Sequence, residues 1–253
     1  MSKLSAAAAN MFYGIISFVY LIYFAAASGI FLLCTPILTF LSLLLEHNGL
    51  DGAIRRIIYF YGHFTMAIWW PYIRYEVTGK ENQPGKGPVV YVINHRSAAD
   101  AYFSATFALC HTIMFVRSWP FKIPIYGTIM KLGEYVDVEN TSVFEFIENQ
   151  GKKLIQRNVS MLFFPEGHRS PDGRMRRFHS GAFFLACEFN LPVVPVCIKG
   201  TENFLSRKHP TFRPSKVHIH IMPSVFPETI SGENRVVELK RDIHSTMQTY
   251  LGE

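Results

Sequence analysis

At 253 residues the chain is long enough for one α/β domain with an attachment segment, since ordinary domains run to about 100–200 residues. Its hydrophobic fraction of 49%, with 22 Phe and 12 Tyr, is high for a freely soluble enzyme, and its formal charge of +6 suits nucleic acid or an anionic membrane surface. The placement of the apolar residues favours the membrane over nucleic acid as the partner.

The N-terminal third carries that apolar surface. Met11 to Leu45 contains no charged residue and exceeds the roughly 20 residues that cross a bilayer as a helix. Gly14, Gly29 and Pro36 are places where it would bend or divide. A turn over Glu46–Gly52 leads to a second segment, Ala53–Ile73, with Arg55 and Arg56 at its start and Trp69, Trp70, Tyr72 and Tyr75 near its end. Residues of those types sit at headgroup depth in membrane proteins. Three readings stand: a signal peptide ending near Ala25–Ser28, a single spanning helix, or a helical hairpin embedded from one side or crossing and returning. The hairpin is preferred, because it leaves Lys3 and the Arg74–Lys80 end on one face of the membrane. The expected organisation is a membrane-attached segment over residues 1–74 and a catalytic domain over 75–253. The four cysteines make no C-x-x-C pair and lie in apolar surroundings, which suggests reduced thiols and a domain facing the cytoplasm.

From Tyr75 onward the pattern changes to short β-rich runs alternating with amphipathic stretches. Strands are predicted at Arg74–Thr78, Val89–Ile93, Ile113–Arg117, Tyr135–Val138, Met161–Phe164, Val193–Ile198 and Val217–Met222. Helices are predicted at Ala98–Cys110, Ile123–Lys131, Ser142–Gln156, Ser180–Phe189 and Asn234–Leu251. This alternation implies an α/β fold: a mostly parallel central sheet flanked by helices.

Two strand ends carry chemistry. The run Val89–Ile93 passes directly into Asn94-His95, with Asp100 five residues beyond His95. Ligands in open α/β sheets sit outside the carboxyl ends of the strands. A helical turn there can return Asp100 to the imidazole, fixing its tautomer and leaving the other nitrogen as a base. On spacing alone, a surface histidine beside a helix-capping aspartate is the plainer reading. The second run, Met161–Phe164, ends in Pro165-Glu166-Gly167-His168-Arg169, with Arg174, Arg176 and Arg177 following. Guanidinium forks suit a phosphate or phosphodiester, and a basic surface loop is the plainer reading. His218 and His220 alternate on one strand face, but no third metal ligand accompanies them.

Taken together, the blocks resemble the glycerolipid acyltransferase family, typified by lysophosphatidic acid acyltransferases. Asn94, His95 and Asp100 match its N-H-x-x-x-x-D block, and Phe164 to Arg169 match F-P-E-G-[ST]-R except at His168. Leu191–Val196 with Gly200-Thr201 matches a third, proline-containing block. The resemblance implies direct acyl transfer from a thioester, acyl-CoA or acyl carrier protein, to the free hydroxyl of a lysophospholipid at a membrane. His95 would be the general base and Asp100 its partner, with no covalent intermediate. Asn94, Glu166, Gly167, His168 and Arg169 would contact or shape the acceptor site, and Arg169 would bind its phosphate. No cofactor beyond the acyl donor is implied, and the oligomeric state stays open. Where the family carries a phosphate-binding Arg, this chain has Glu139; it also has His179-Ser180-Gly181 in place of Lys-Lys-Gly. Arg117, Lys122, Arg174 or Arg177 would compensate. Alternatively, the acceptor has a different headgroup, such as a lysophosphodiester or an amino-acid lipid, or the chain is a non-catalytic lipid-binding relative.

Overall fold

A computed structural model describes residues 3–45, 49–70, 72–170, 173–205, 211–231 and 234–253. Its centre is a seven-stranded sheet. The strands are β1 (Ile73–Thr78), β2 (Val90–Ile93), β3 (Thr112–Val116), β4 (Val136–Asp137), β5 (Ser160–Phe163), β6 (Val193–Lys199) and β7 (Ser215–Ile221). The spatial order is β1-β7-β6-β2-β5-β3-β4. The five strands from β6 to β4 are parallel; β7 runs antiparallel to β6, and β1 pairs parallel with β7. All seven lie on the predicted runs. The central strands β2 and β5 are buried at every position, as strands covered on both faces must be.

Each face has its own apolar core. One joins Val90, Val92, Met161 and Phe163 to the helices α5 (Val143–Phe146), α6 (Lys152–Gln156), α7 (Gly181–Glu188) and α9 (Arg235–Leu251). The other joins Tyr91, Ile93 and Leu162 to α3 (Asp100–Phe103) and to Met66, Ile68 and Trp69 of α2 (Gly49–Trp69). The parallel strands therefore discharge their C-terminal ends along one open edge, in the order β6, β2, β5, β3, β4.

Several helices depart from expectation for local reasons. The helix expected over Ala98–Cys110 is only α3 followed by a 3-10 turn, Ser104–Thr106. There the Ser104 and Thr106 hydroxyls each donate to the carbonyl three residues back, at 2.7 Å, competing with the helical ladder. The next helix, α4 (Tyr126–Leu132), starts three residues late because Pro124 disfavours a helical Ile123 and Ile125 takes a positive φ of 66°. Between α5 and α6 the ladder widens to a π-turn, Ile147–Gly151, where Gly151 lies against the Phe189 ring. A further short helix, α8 (Thr201–Phe204), follows β6.

The N-terminal third forms an antiparallel pair, α1 (Lys3–Leu45) and α2. Pro36 does not divide α1. The carbonyl that proline leaves without its amide donor, Leu32 O, accepts the Thr35 hydroxyl at 2.7 Å. The second segment begins at Gly49, inside the turn expected over Glu46–Gly52, of which residues 46–48 lie outside the described ones. It ends at Trp69, just before the Trp70-Pro71 pair, so Ile73 belongs to β1 rather than to the helix.

The two helices differ in environment. From Met11 to Leu44, α1 is long and apolar enough to cross a membrane, and most of its large apolar side chains are exposed. One stripe of it is held to the rest of the protein: Phe24 packs on Trp69, Phe31 on Tyr61 and Phe64, and the Ser17 hydroxyl accepts the Phe212 amide at 2.8 Å. By contrast, α2 is buried on its domain side, with Gly62 so close to the turn after α3 that a Cβ there would lie 2.5 Å from Ala105 Cβ. Arg55, expected at headgroup depth, is instead buried, its guanidinium paired with Asp51 at 2.6 Å and Glu134 at 2.8 Å. Arg157 completes this cluster from the end of α6. Such a charge tolerates burial only because carboxylates meet it there.

Candidate active site

The site sits where β2 and β5 end side by side. Continuing their register brings His95 next to Glu166. The chain turns at Arg96–Ala99 and enters α3 at Asp100, whose fully buried side chain comes back to the loop that precedes it. A single oxygen, Asp100 Oδ2, accepts three bonds: His95 Nδ1 at 2.9 Å, and the Arg96 and Ser97 amides at 2.7 Å each. The same carboxylate thus ties down the loop before the helix and fixes the ring. With the Nδ1 proton committed to Asp100, Nε2 is the acceptor nitrogen. The imidazole lies tilted against Phe164, with ring centroids 4.4 Å apart, and its side chain is 20% exposed, enough to meet a substrate.

A second carboxylate holds the backbone of the same loop. Glu166 accepts the His95 amide at 2.7 Å with Oε1 and the Arg176 amide at 2.8 Å with Oε2. The His95 carbonyl in turn accepts the Ser170 amide at 3.0 Å. Burial pushes the Glu166 carboxyl up to about 7, against the opposing pull of those two amides. Glu166 therefore ties three loop segments together beside His95. Gly167 has a φ of 71°, and a Cβ there would stand 3.2 Å from the His179 ring. A side chain at that position would be both strained and crowded.

Asn94, expected beside the acceptor, is wholly buried and spans the next strand pair. It donates to the Ile198 carbonyl at 2.9 Å and accepts the Ile198 amide at 2.7 Å. Its side-chain amide acts as a clamp between the ends of β2 and β6, so its part is positioning.

The cationic residues are spread along the edge. Arg117 follows β3, donates through Nε to Glu139, and lies 3.3 Å from His168 Nδ1 through Nη1. Glu139 also accepts the Ser118 amide at 3.3 Å, and its carboxyl is held below its ordinary value, chiefly by the Arg117 contact. The carboxylate that stands for an expected cation thus faces the nearest guanidinium. Arg169 is half-buried, whereas Arg174 and Arg177 are exposed on the loop leading to α7. Arg96, inside the first block, reaches away to Glu202 at 3.2 Å and to Glu253. Neither the Asn94 clamp nor the Arg96 network had a sequence signal beyond its position in the block. Phe164 did: it ends the predicted strand run immediately before Pro165, one residue beyond β5.

The family model described as Acyltransferase matches residues 74–199, from the start of β1 to the end of β6. The chain belongs to the acyltransferase family. Its matched stretch contains both strand ends that build the site and the clamp partner Ile198. Similar proteins include the 1-acyl-sn-glycerol-3-phosphate acyltransferase of Limnanthes alba, 28% identical over 73% of this chain and 67% of that protein. Another, from Chlamydomonas reinhardtii, is 34% identical over 65% of this chain and 52% of its own length. A chloroplastic one from Brassica napus is 32% identical over 55% and 42% respectively. The match thus spans about half the length of the latter two relatives. Among solved structures, the 1-acyl-sn-glycerophosphate acyltransferase PlsC of Thermotoga maritima superposes with a TM-score of 0.79 at 23% identity. It covers 95% of this chain and 96% of that one, so the shared fold includes the N-terminal helices.

Proposed function

We propose that the protein transfers a fatty acyl group from an acyl thioester, acyl-CoA or acyl carrier protein, to the free hydroxyl of a lysophospholipid such as lysophosphatidic acid. The observation that carries this reading is the His95–Asp100 pair, with Nδ1 committed at 2.9 Å and the ring accessible at a sheet edge. Nε2 takes the hydroxyl proton as the acceptor oxygen attacks the thioester carbonyl. The tetrahedral intermediate then expels the thiolate, which recovers that proton from the imidazolium, and Asp100 offsets the transient charge. General-base help of this kind is worth about 10²–10⁴-fold. Donor and acceptor react directly, so no acyl-enzyme forms. No cofactor beyond the donor enters this scheme.

The helical pair supports attachment from one side of the bilayer, and the free cysteines support a catalytic domain facing the cytoplasm. One stripe of α1 is held to the domain between Ser17 and Phe31, and a crossing α1 would draw the buried Arg55 and its partner Glu134 toward the hydrocarbon.

Purified full-length protein in nanodiscs, given labelled acyl-CoA or acyl carrier protein and a panel of lysolipids, tests the reading by mass spectrometry. Acylated lysophosphatidic acid is expected, and it should vanish with His95→Ala; equal turnover by that variant would overturn the mechanism. The Arg117–Glu139 pair favours a second reading, an acceptor with a different headgroup. A lysophosphodiester or amino-acid lipid preferred over lysophosphatidic acid in the same panel would establish it. Bound lipid without turnover of any acceptor would leave a non-catalytic relative.

A further inference from the structure

Immediately after Arg117 the chain turns outward and exposes a cluster of large apolar side chains. Trp119 and Ile125 are each 65% exposed, and Ile123 and Tyr126 are also open to solvent. The cluster is rigidly built. Its backbone closes on itself through Phe121 N to Ser118 O at 3.1 Å, Tyr126 N to Pro124 O at 2.7 Å and Gly127 N to Ile123 O at 2.8 Å. Gly127 lies so near Phe121 that a Cβ would meet its carbonyl oxygen at 2.1 Å. Ile125 is held at φ 66° and ψ −57°, a conformation that β-branched residues avoid. A large apolar side chain is thus fixed outward against both solvent and backbone preference.

What surrounds the cluster indicates its partner. Residues 118–133 contain no Asp or Glu, but they do contain Lys122 and Lys131. The adjoining helix α4 packs beside α2, with Gly133 O accepting from Arg55 at 3.4 Å and Gly133 facing the Ile58 side chain. On α2, Phe60 is exposed, and α2 lies in turn against the uncovered apolar helix α1. Tryptophan, tyrosine and lysine beside an apolar surface are the residues found at headgroup depth.

We propose that residues 119–126 form a second membrane contact, a rigid apolar knob that inserts into the interface of an anionic bilayer alongside α1. Inserted there, it holds the β3 end of the site, with Arg117, at the depth of the lipid headgroups. A lysolipid then reaches the site from the bilayer without passing through water.

The full-length protein, reconstituted into phosphatidylcholine–phosphatidylglycerol vesicles carrying brominated acyl chains, provides the test. Trp119 is one of three tryptophans, so its emission is the wild-type signal minus that of Trp119→Phe. The proposal expects bromolipid to quench this component while aqueous iodide does not. Quenching by iodide alone overturns it, and shielding from both quenchers with a dimer in light scattering overturns it in favour of a second copy. Ile125→Glu should also raise KM for vesicle-borne acceptor about tenfold, given the size of a buried isoleucine's contribution, and leave a short-chain, water-soluble acceptor unaffected. An unchanged vesicle KM counts against the proposal. Because quenching needs no turnover, the knob and the acyl-transfer reading can fail separately.

Discussion

Replacing Asp100 with asparagine isolates one component of the proposed chemistry. All three donors that reach Asp100 converge on Oδ2, and Oδ1 has no hydrogen-bond partner among the described residues. The asparagine carbonyl can therefore occupy the Oδ2 place and keep the His95 tautomer and both amide bonds. What disappears is the negative charge facing the imidazolium that forms during transfer. Two unit charges about 4 Å apart at an effective dielectric of about 20 interact by about 4 kcal/mol. That corresponds to a loss of about 10³-fold in kcat/KM. The amide NH₂ also falls at the Oδ1 place, where no acceptor stands, at a cost of about 1–3 kcal/mol in stability. The assay is acyl transfer to lysophosphatidic acid in nanodiscs, followed by mass spectrometry, with folding checked by near-UV circular dichroism. A folded Asp100→Asn protein within about tenfold of wild type would refute the charge argument. Asp100→Ala is a poorer probe, because it also strips acceptors from Arg96 N and Ser97 N.

Glu166→Gln keeps one acceptor for the two amides and abolishes the titration. Between pH 4.5 and about 7 the folded wild type holds a proton that the unfolded chain has released, so its stability falls as pH rises through that window. Relative to Glu166→Gln, denaturant titrations should show wild type losing up to about 3 kcal/mol there and staying level above it. Glu139→Gln frees Arg117 and should raise kcat/KM for lysophosphatidic acid relative to a lysophosphodiester about tenfold, the scale of one hydrogen bond to a charged group. An unchanged ratio would remove Arg117 from the headgroup site. Gly62→Ala forces a Cβ against Ala105 and should destabilise the α2 docking by about 1–3 kcal/mol in thermal unfolding in micelles.

Local patterns made much of this protein legible. β-rich apolar runs marked every strand, because burial on both faces leaves little room for polar residues at β2 and β5. The His95–Asp100 contact was one of two arrangements the spacing allowed, and it forms because a helix starting at Asp100 points its carboxylate back at the preceding turn. The helix predicted from Ser142 does start there, where the Ser142 hydroxyl accepts the Glu145 amide one turn on. All of these relations lie within one or two turns of chain.

The tertiary structure decided what joins distant segments. Arg55 resembles a membrane-interface arginine until Glu134, far along the chain, is seen to meet it. Asn94 resembles a substrate contact until β6 is placed beside β2 and Ile198 takes both ends of its amide. Glu139 marks the loss of a cation in sequence, but only folding shows that it engages Arg117. The physical reason is common to all three. A polar group's role depends on which partner replaces its water on burial, and that partner is set by strand order and helix docking rather than by neighbours in the chain.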